Sequence, residues 1–191
     1  MLTIDLERIN IEDDQVILDL GCGKGRHIHK LYYYKKCHVI GLDLSYEDLQ
    51  ITHEGFEKYP DIEGDKKRQF NLMAGDAHKL PFPDETFDRI ICSEVLEHIP
   101  DYENVIKEIF RVAKKDAKIG ISVPRWLPEK ICWFLSDDYH NEPGGHVHIF
   151  TFKNIKESFT KNGFLYLFRS YKHGLHSPYW WLQCLMWDSK D

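Results

Sequence analysis

Short apolar runs alternate along this chain with longer stretches in which apolar residues recur every three or four positions. The runs at 16–20, 37–42, 69–74, 87–92 and 118–123 read as buried strands, each bounded by turn-forming residues. The stretches at 24–35, 46–59, 101–114 and 152–162 read as helices. Ser45 with Asp48 has capping-box spacing, and Asp101 and Thr151 suit N-caps. Val105, Ile106, Ile109, Phe110 and Ala113 form an apolar stripe fit to lie on a sheet. This alternation predicts an α/β fold: a doubly wound, mostly parallel sheet with helices on both faces and right-handed connections. A ligand of such a sheet lies across the carboxyl ends of the strands, at the topological switch point.

Two regions break the rhythm. Residues 124–150 hold Trp126, Trp133, Tyr139 and three histidines, and 173–191 hold Tyr179, Trp180, Trp181 and Trp187. Only 15 residues precede the first strand, too few to roof a ligand, so the roof is expected from 124–150, from 172–191 or from a partner.

At 191 residues the chain fits one domain, 1–191. A hydrophobic share of 42% with 14% aromatics excludes global disorder. The net charge of −6, with no basic block, argues against a dedicated nucleic-acid binder. The N-terminal residues have no signal-peptide pattern, and no apolar stretch is long enough to span a bilayer. The 5 cysteines are scattered and form no C-x-x-C pair, as reduced thiols in a cytoplasmic protein would be.

The candidate chemistry begins at Val16-Ile17-Leu18-Asp19-Leu20-Gly21-Cys22-Gly23-Lys24-Gly25, an apolar run that ends in an acid and opens into alternate glycines. This is a buried strand turning tightly into a helix, whose unpaired N–H groups suit an anion while Asp19 supplies a negative charge. The second strand ends at Gly41-Leu42-Asp43-Leu44-Ser45, where an acid can accept from ribose hydroxyls. The third ends at Ala74-Gly75-Asp76-Ala77 and the fourth at Ser93-Glu94-Val95-Leu96-Glu97-His98. Nicotinamide-binding folds share the first two features, but their fingerprint is G-x-G-x-x-G and Arg26 stands where the third glycine would fall. A hydride-transfer enzyme is therefore a distant reading.

The spacing Asp-x-Gly-x-Gly-x-Gly, then Asp76-Ala77 before Leu80-Pro81-Phe82-Pro83, then Phe87-Asp88 and Glu94-Val95-Leu96-Glu97-His98-Ile99, resembles the class I S-adenosylmethionine-dependent methyltransferases, especially their quinone-biosynthesis-like branch. The resemblance covers residues 12–165 and implies a Rossmann-like fold. It implies that Gly21, Cys22 and Gly23 contact the methionine portion of the cofactor, and that Asp19 offsets its amino group. It further implies that Asp43 holds the ribose with Leu44 on the adenine, that Asp76 and Ala77 meet the adenine edge, and that Ser93 lies near the methionine amine. Relatives carry a Pro-Gly-Gly turn where this chain has Lys114-Lys115-Asp116-Ala117-Lys118. The fold normally closes with a sixth strand, here 164–170, and an antiparallel seventh. That last strand would have to come from 181–187, which reads equally well as a helix start, so it is either present or missing. A missing strand would leave an exposed edge and favour a homo-oligomer.

Methyl transfer needs alignment above all, and a general base only for a hydroxyl or activated-carbon acceptor. His140, His146 and His148 lie in a loop with glycine hinges, and His146 is the catalytic candidate, as base or acceptor-positioning group. The expected site contains no metal. An alternative enlists Glu94, Glu97, His98 and either His146 or His148, since some metal-dependent O-methyltransferases place a divalent ion on such a set. The expected function is transfer of a methyl group from S-adenosyl-L-methionine to a small-molecule or lipid-like acceptor, leaving S-adenosyl-L-homocysteine. The rival is a non-catalytic cofactor-binding subunit supporting a partner enzyme.

Overall fold

A computed structural model describes residues 2–58, 68–136, 144–171 and Trp181. Five strands form one parallel sheet: β1 (Val16–Leu20), β2 (His38–Asp43), β3 (Gln69–Ala74), β4 (Phe87–Ser93) and β5 (Ala113–Ser122), in spatial order β3-β2-β1-β4-β5. The helices are α1 (Ile28–Tyr34), α2 (Tyr46–Glu57), α3 (Tyr102–Val112), α4 (Trp126–Leu135) and α5 (Phe152–Lys161), with a 3₁₀ turn at Leu96–His98. The strand order reverses between β1 and β4, so the switch point lies at the carboxyl ends of these two strands.

By its contacts the chain divides into two compact units, Met1–Val95 with Asn104–Ser122, and Leu96–Glu103 with Val123–Asp191. In the first unit Ile17, Leu18 and Leu20 of β1 are fully buried, as are Ile90 and Ile91 of β4, which suits strands covered on both faces. Buried residues of α1 (Ile28, Leu31) and α2 (Leu49, Phe56) share one cluster with Ile4, Leu6, Ile9 and Ile11. The stretch before β1 is therefore core. Arg89 of β4 fastens it by donating to the carbonyls of Ile9 and Asn10. Within α3 the expected stripe is buried at Val105, Ile106 and Ile109, whereas Phe110 is half exposed.

In the second unit the 3₁₀ turn is tied to the loop before α5. The N–H groups of Val147 and His148 both donate to the Glu97 carbonyl, at 2.8 and 3.1 Å. Glu103 accepts from Ser158 and Lys161 of α5 at 2.8 and 2.6 Å, and Tyr102 sets its ring edge-on against His148 and Phe150. Thr151 caps α5 by accepting from the Asn154 N–H, as Ser45 caps α2 through Asp48.

Three elements differ from expectation. The helix expected from 24 begins at Ile28, because Gly21, Gly23 and Gly25 all hold positive φ (68°, 49° and 88°), which a right-handed helix excludes. No turn separates α3 from β5: the strand starts at Ala113, directly after Val112. Its register jumps from Phe87↔Ala113 to Arg89↔Lys118, so 114–117 is absorbed as a bulge, with Lys114 paired to Asp88 at 2.8 Å. Residues 164–170 are irregular rather than a sixth strand. Of the segment open between strand and helix, only Trp181 is described. It is helical and donates to the Pro128 carbonyl at 3.3 Å.

Candidate functional site

The glycine turn sits at the switch point. Gly21 and Cys22 donate their N–H groups to the Leu42 carbonyl at 2.7 and 3.2 Å, which ties the end of β1 to the end of β2. A Cβ on Gly21 would strike a methyl of Val95, so this position needs glycine for space as well as for φ. Gly25 has a different reason. A Cβ there, or on Gly55, would enter the ring of His29, whose Nε2 lies 2.8 Å from the Thr52 carbonyl. The hydroxyl of Thr52 donates to the Gly23 carbonyl at 2.7 Å. His29 and Thr52 thus hold the turn from behind. Neither was found in the sequence, and their only signal there is the pair of glycines, Gly25 and Gly55, that flank the histidine ring.

Asp43 carries the turn's other anchor. Its Oδ2 accepts from the Gly23 N–H at 2.7 Å and its Oδ1 from the Ser45 N–H at 2.9 Å. Each oxygen keeps a lone pair for a hydroxyl donor. Leu44, beside it, is 79% exposed, and Gly75 donates to the Asp43 carbonyl at 2.9 Å, bringing the end of β3 against that of β2. Asp76 is exposed, Ala77 is half-buried, and the His78 backbone N–H and ring hold the Asp76 carboxyl below its usual range.

Asp19 behaves differently. It is 1% exposed, and its Oδ2 has no hydrogen-bond partner. Burial pushes its carboxyl up to about 7; Asp43 adds to the rise, while the Ile28 N–H and Arg26 oppose it. A buried acid so placed gains from any cation that reaches it. Cys22 offers no nucleophile, since burial and the nearby Asp19 push its thiol far up.

Ser93, expected to lend its backbone, is the centre of a hydroxyl cluster. Its Oγ lies 2.6 Å from Thr3 Oγ1 and 2.9 Å from Ser122 Oγ, and Ser122 donates to Glu94 at 2.8 Å. Thr3 also meets His27 Nε2 at 3.1 Å, and burial lowers His27 to about 4, leaving it a neutral ring. The residues ahead of β1, too few to roof a ligand, nonetheless reach the carboxyl ends of β4 and β5.

The histidines belong to the second unit. Glu97, His98 and His146 each place a ligand atom within 4.8 Å of the others, and Glu97 is fully buried. His98 Nδ1 lies 2.9 Å from the Gly144 carbonyl, and His146 Nδ1 lies 2.5 Å from Oε1 of the buried Glu129. Both partners are acceptors, so a proton on each Nδ1 satisfies them. This is the arrangement of oriented, basic imidazoles. Glu129, in α4, was missed in the sequence because it lies 17 residues from His146 on an otherwise apolar helix. Of the alternative set, Glu94 is engaged by Ser122, and His148 Nε2 lies 3.0 Å from the Pro100 carbonyl. His140 lies outside the described residues.

A family model described as a methyltransferase domain matches residues 11–168. The sterol 24-C-methyltransferase of Aspergillus fumigatus is 31% identical over 142 residues, covering 74% of this chain and 34% of that protein. The demethylmenaquinone methyltransferase of Lactobacillus johnsonii is 32% identical over 118 residues, covering 60% and 46%. The chain thus spans about a third of the length of the sterol methyltransferases it matches. Among solved structures, an S-adenosylmethionine-dependent methyltransferase of Methanosarcina mazei superposes with a TM-score of 0.69 at 22% identity, covering 84% of this chain and 85% of that one. With a matching parallel sheet, a matching family model over most of its length and the glycine turn at the switch point, the chain belongs to the methyltransferase-domain family.

Proposed function

We propose that this chain is an S-adenosyl-L-methionine-dependent methyltransferase acting on a small-molecule or lipid-like acceptor in the cytoplasm. One observation carries the reading: the turn of Gly21, Cys22 and Gly23 is flanked by a buried acid, Asp19, with an unsatisfied oxygen, and by Asp43, whose two oxygens retain accepting capacity. The cofactor, when bound, supplies a sulfonium methyl with a good leaving group. Asp19 fits its ammonium, Asp43 its ribose hydroxyls, exposed Leu44 the adenine face, and Asp76 with Ala77 the adenine edge. Ser93, fixed by Thr3 and Ser122, borders the methionine end. The lipid-like acceptor rests on the sterol and demethylmenaquinone relatives. The reading treats 1–191 as one methyltransferase domain, with 124–150 and 172–191 shaping the acceptor side.

The test joins calorimetric titration of S-adenosylhomocysteine to label transfer from methyl-labelled cofactor into sterol, quinone and total-lipid fractions. Binding with a labelled product is the expected result. Binding without any labelled product supports the non-catalytic subunit, and absence of binding overturns the assignment.

For the acceptor side, Glu129 holding His146 supports His146 as the base or acceptor-positioning group. The convergence of Glu97, His98 and His146 supports a second reading, in which one carboxylate and two imidazoles hold a divalent cation. Such an ion would lower the pKa of a bound hydroxyl and orient it. Activity that vanishes with chelator and returns with magnesium or manganese separates this reading from the first.

A further inference from the structure

The second unit carries a surface of cations and aromatic rings. Arg169 lies over two rings, Phe152 at 4.2 Å and Tyr171 at 4.8 Å from its guanidinium carbon. Arg125 lies over the same Tyr171 at 5.2 Å, Lys156 lies over Tyr166 at 4.8 Å, and Tyr166 meets Phe152 edge-on at 5.5 Å. The result is a continuous array of three cations and three rings. None of the three cations forms an ion pair with a described carboxylate; Glu103, Glu129 and Glu157 pair with Lys161, His146 and Lys153. In the same segment Leu165 is 88% and Leu167 63% exposed.

We propose that this face docks on an anionic lipid bilayer. Three cations with no ion pair among the described residues call for several negative groups spread over a surface rather than one ligand, and aromatic rings beside them suit the headgroup level. The leucines decide between surfaces. A nucleic acid would stack its bases on the rings but leave Leu165 and Leu167 in water, whereas acyl chains accept them. The net charge of −6 over the whole chain puts this cationic patch against the general field, as orientation on a negative surface requires. The proposal stands without the methyl-transfer reading.

The test is co-sedimentation of the full chain with phosphatidylcholine vesicles, alone or carrying phosphatidylglycerol. The expected result is binding to the anionic vesicles that weakens with salt. Each of Arg125→Gln, Lys156→Gln and Arg169→Gln should lose about five-fold in affinity and the triple variant on the order of a hundred-fold. Leu165→Ser with Leu167→Ser should lose about ten-fold or more, including at high salt. Circular dichroism of each variant confirms the fold, which exposed positions should leave intact. Three results would overturn the proposal: equal or no binding to the two vesicle types, affinity unchanged in the triple variant, or displacement from vesicles by inorganic phosphate or polyuridylate at constant ionic strength. Displacement by phosphate would mean a site for a single anion, and by polyuridylate a nucleic-acid face.

Discussion

The Gly23 N–H donates to Asp43 Oδ2 at 2.7 Å across a sequence separation of 20 residues. This bond couples the ends of β1 and β2, so the acid fixes the turn; in the proposed function it also keeps accepting capacity for the ribose. Asp43→Asn replaces one acceptor by a donor. Loss of a charged hydrogen bond costs about 1.5–3 kcal/mol, so S-adenosylhomocysteine should bind roughly ten- to hundred-fold more weakly by calorimetry. Unchanged affinity would remove Asp43 from the site.

Asp19 makes both stability and cofactor binding depend on pH. Its folded-state pKa of about 7 stands above the ordinary aspartate value of 3.8, so the native state holds a proton that the unfolded chain has lost between these values. Its contribution to stability is complete below the unfolded value and is lost as pH rises toward 7. Melts of Asp19→Asn should therefore lie above those of the parent at pH 8 and converge at acid pH. An ammonium brought to Asp19 favours the ionised form, so cofactor binding near pH 6 should release a proton. Calorimetry in buffers of different ionisation enthalpy reads that release, and the Asn variant should abolish it.

Gly21 is constrained twice, by φ and by Val95. Gly21→Ala should destabilise by about 1–2 kcal/mol for the left-handed backbone and a further 1–3 kcal/mol for the collision. In urea titrations, Val95→Ala in the same chain should return the second portion and not the first. Independent, additive effects of the two changes would contradict the contact.

Glu129 is the handle on the histidine cluster. If Glu97, His98 and His146 hold a cation, Glu129→Gln should weaken its binding about 10–100-fold, because the carboxylate behind His146 sharpens its basicity. Competition against a chromophoric chelator measures this without any turnover. A parent chain that takes up no zinc or manganese leaves the cluster to acid–base work, and the same variant should then alter the pH profile of methyl transfer.

Arg89 is buried against main-chain carbonyls, and Arg89→Leu would strip donors from Ile9 and Asn10. At about 1–3 kcal/mol for each orphaned buried group, the chain should lose a few kcal/mol. The residues before β1 should then become the first site of limited proteolysis.

What the sequence made visible was what local pattern controls. Asp19, Asp43 and Asp76 were found because each follows an apolar run, and strand ends mark a cleft edge in any parallel sheet. The supports escaped because they depend on distant contacts. Thr52 reaches Gly23 from mid-helix, Glu129 reaches His146 from another element, and Thr3 reaches Ser93 from 90 residues away. The polar run 114–118 resembled a turn, yet the sheet absorbs it as a bulge because pairing resumes at Lys118. The expected sixth strand has a continuous apolar run, Phe164 to Phe168, but no neighbouring strand among the described residues, and composition alone does not make a ladder.

Thr3 also meets Ser122, 119 positions later in the chain. During synthesis at roughly 5–20 residues per second, Thr3 would wait about 6–24 seconds for Ser122 to follow it from the ribosome. Ile4, Leu6 and Ile9 spend that interval without their complete burial site. The segment before β1 is made well ahead of the strand it meets, which gives a nascent-chain chaperone time to hold it.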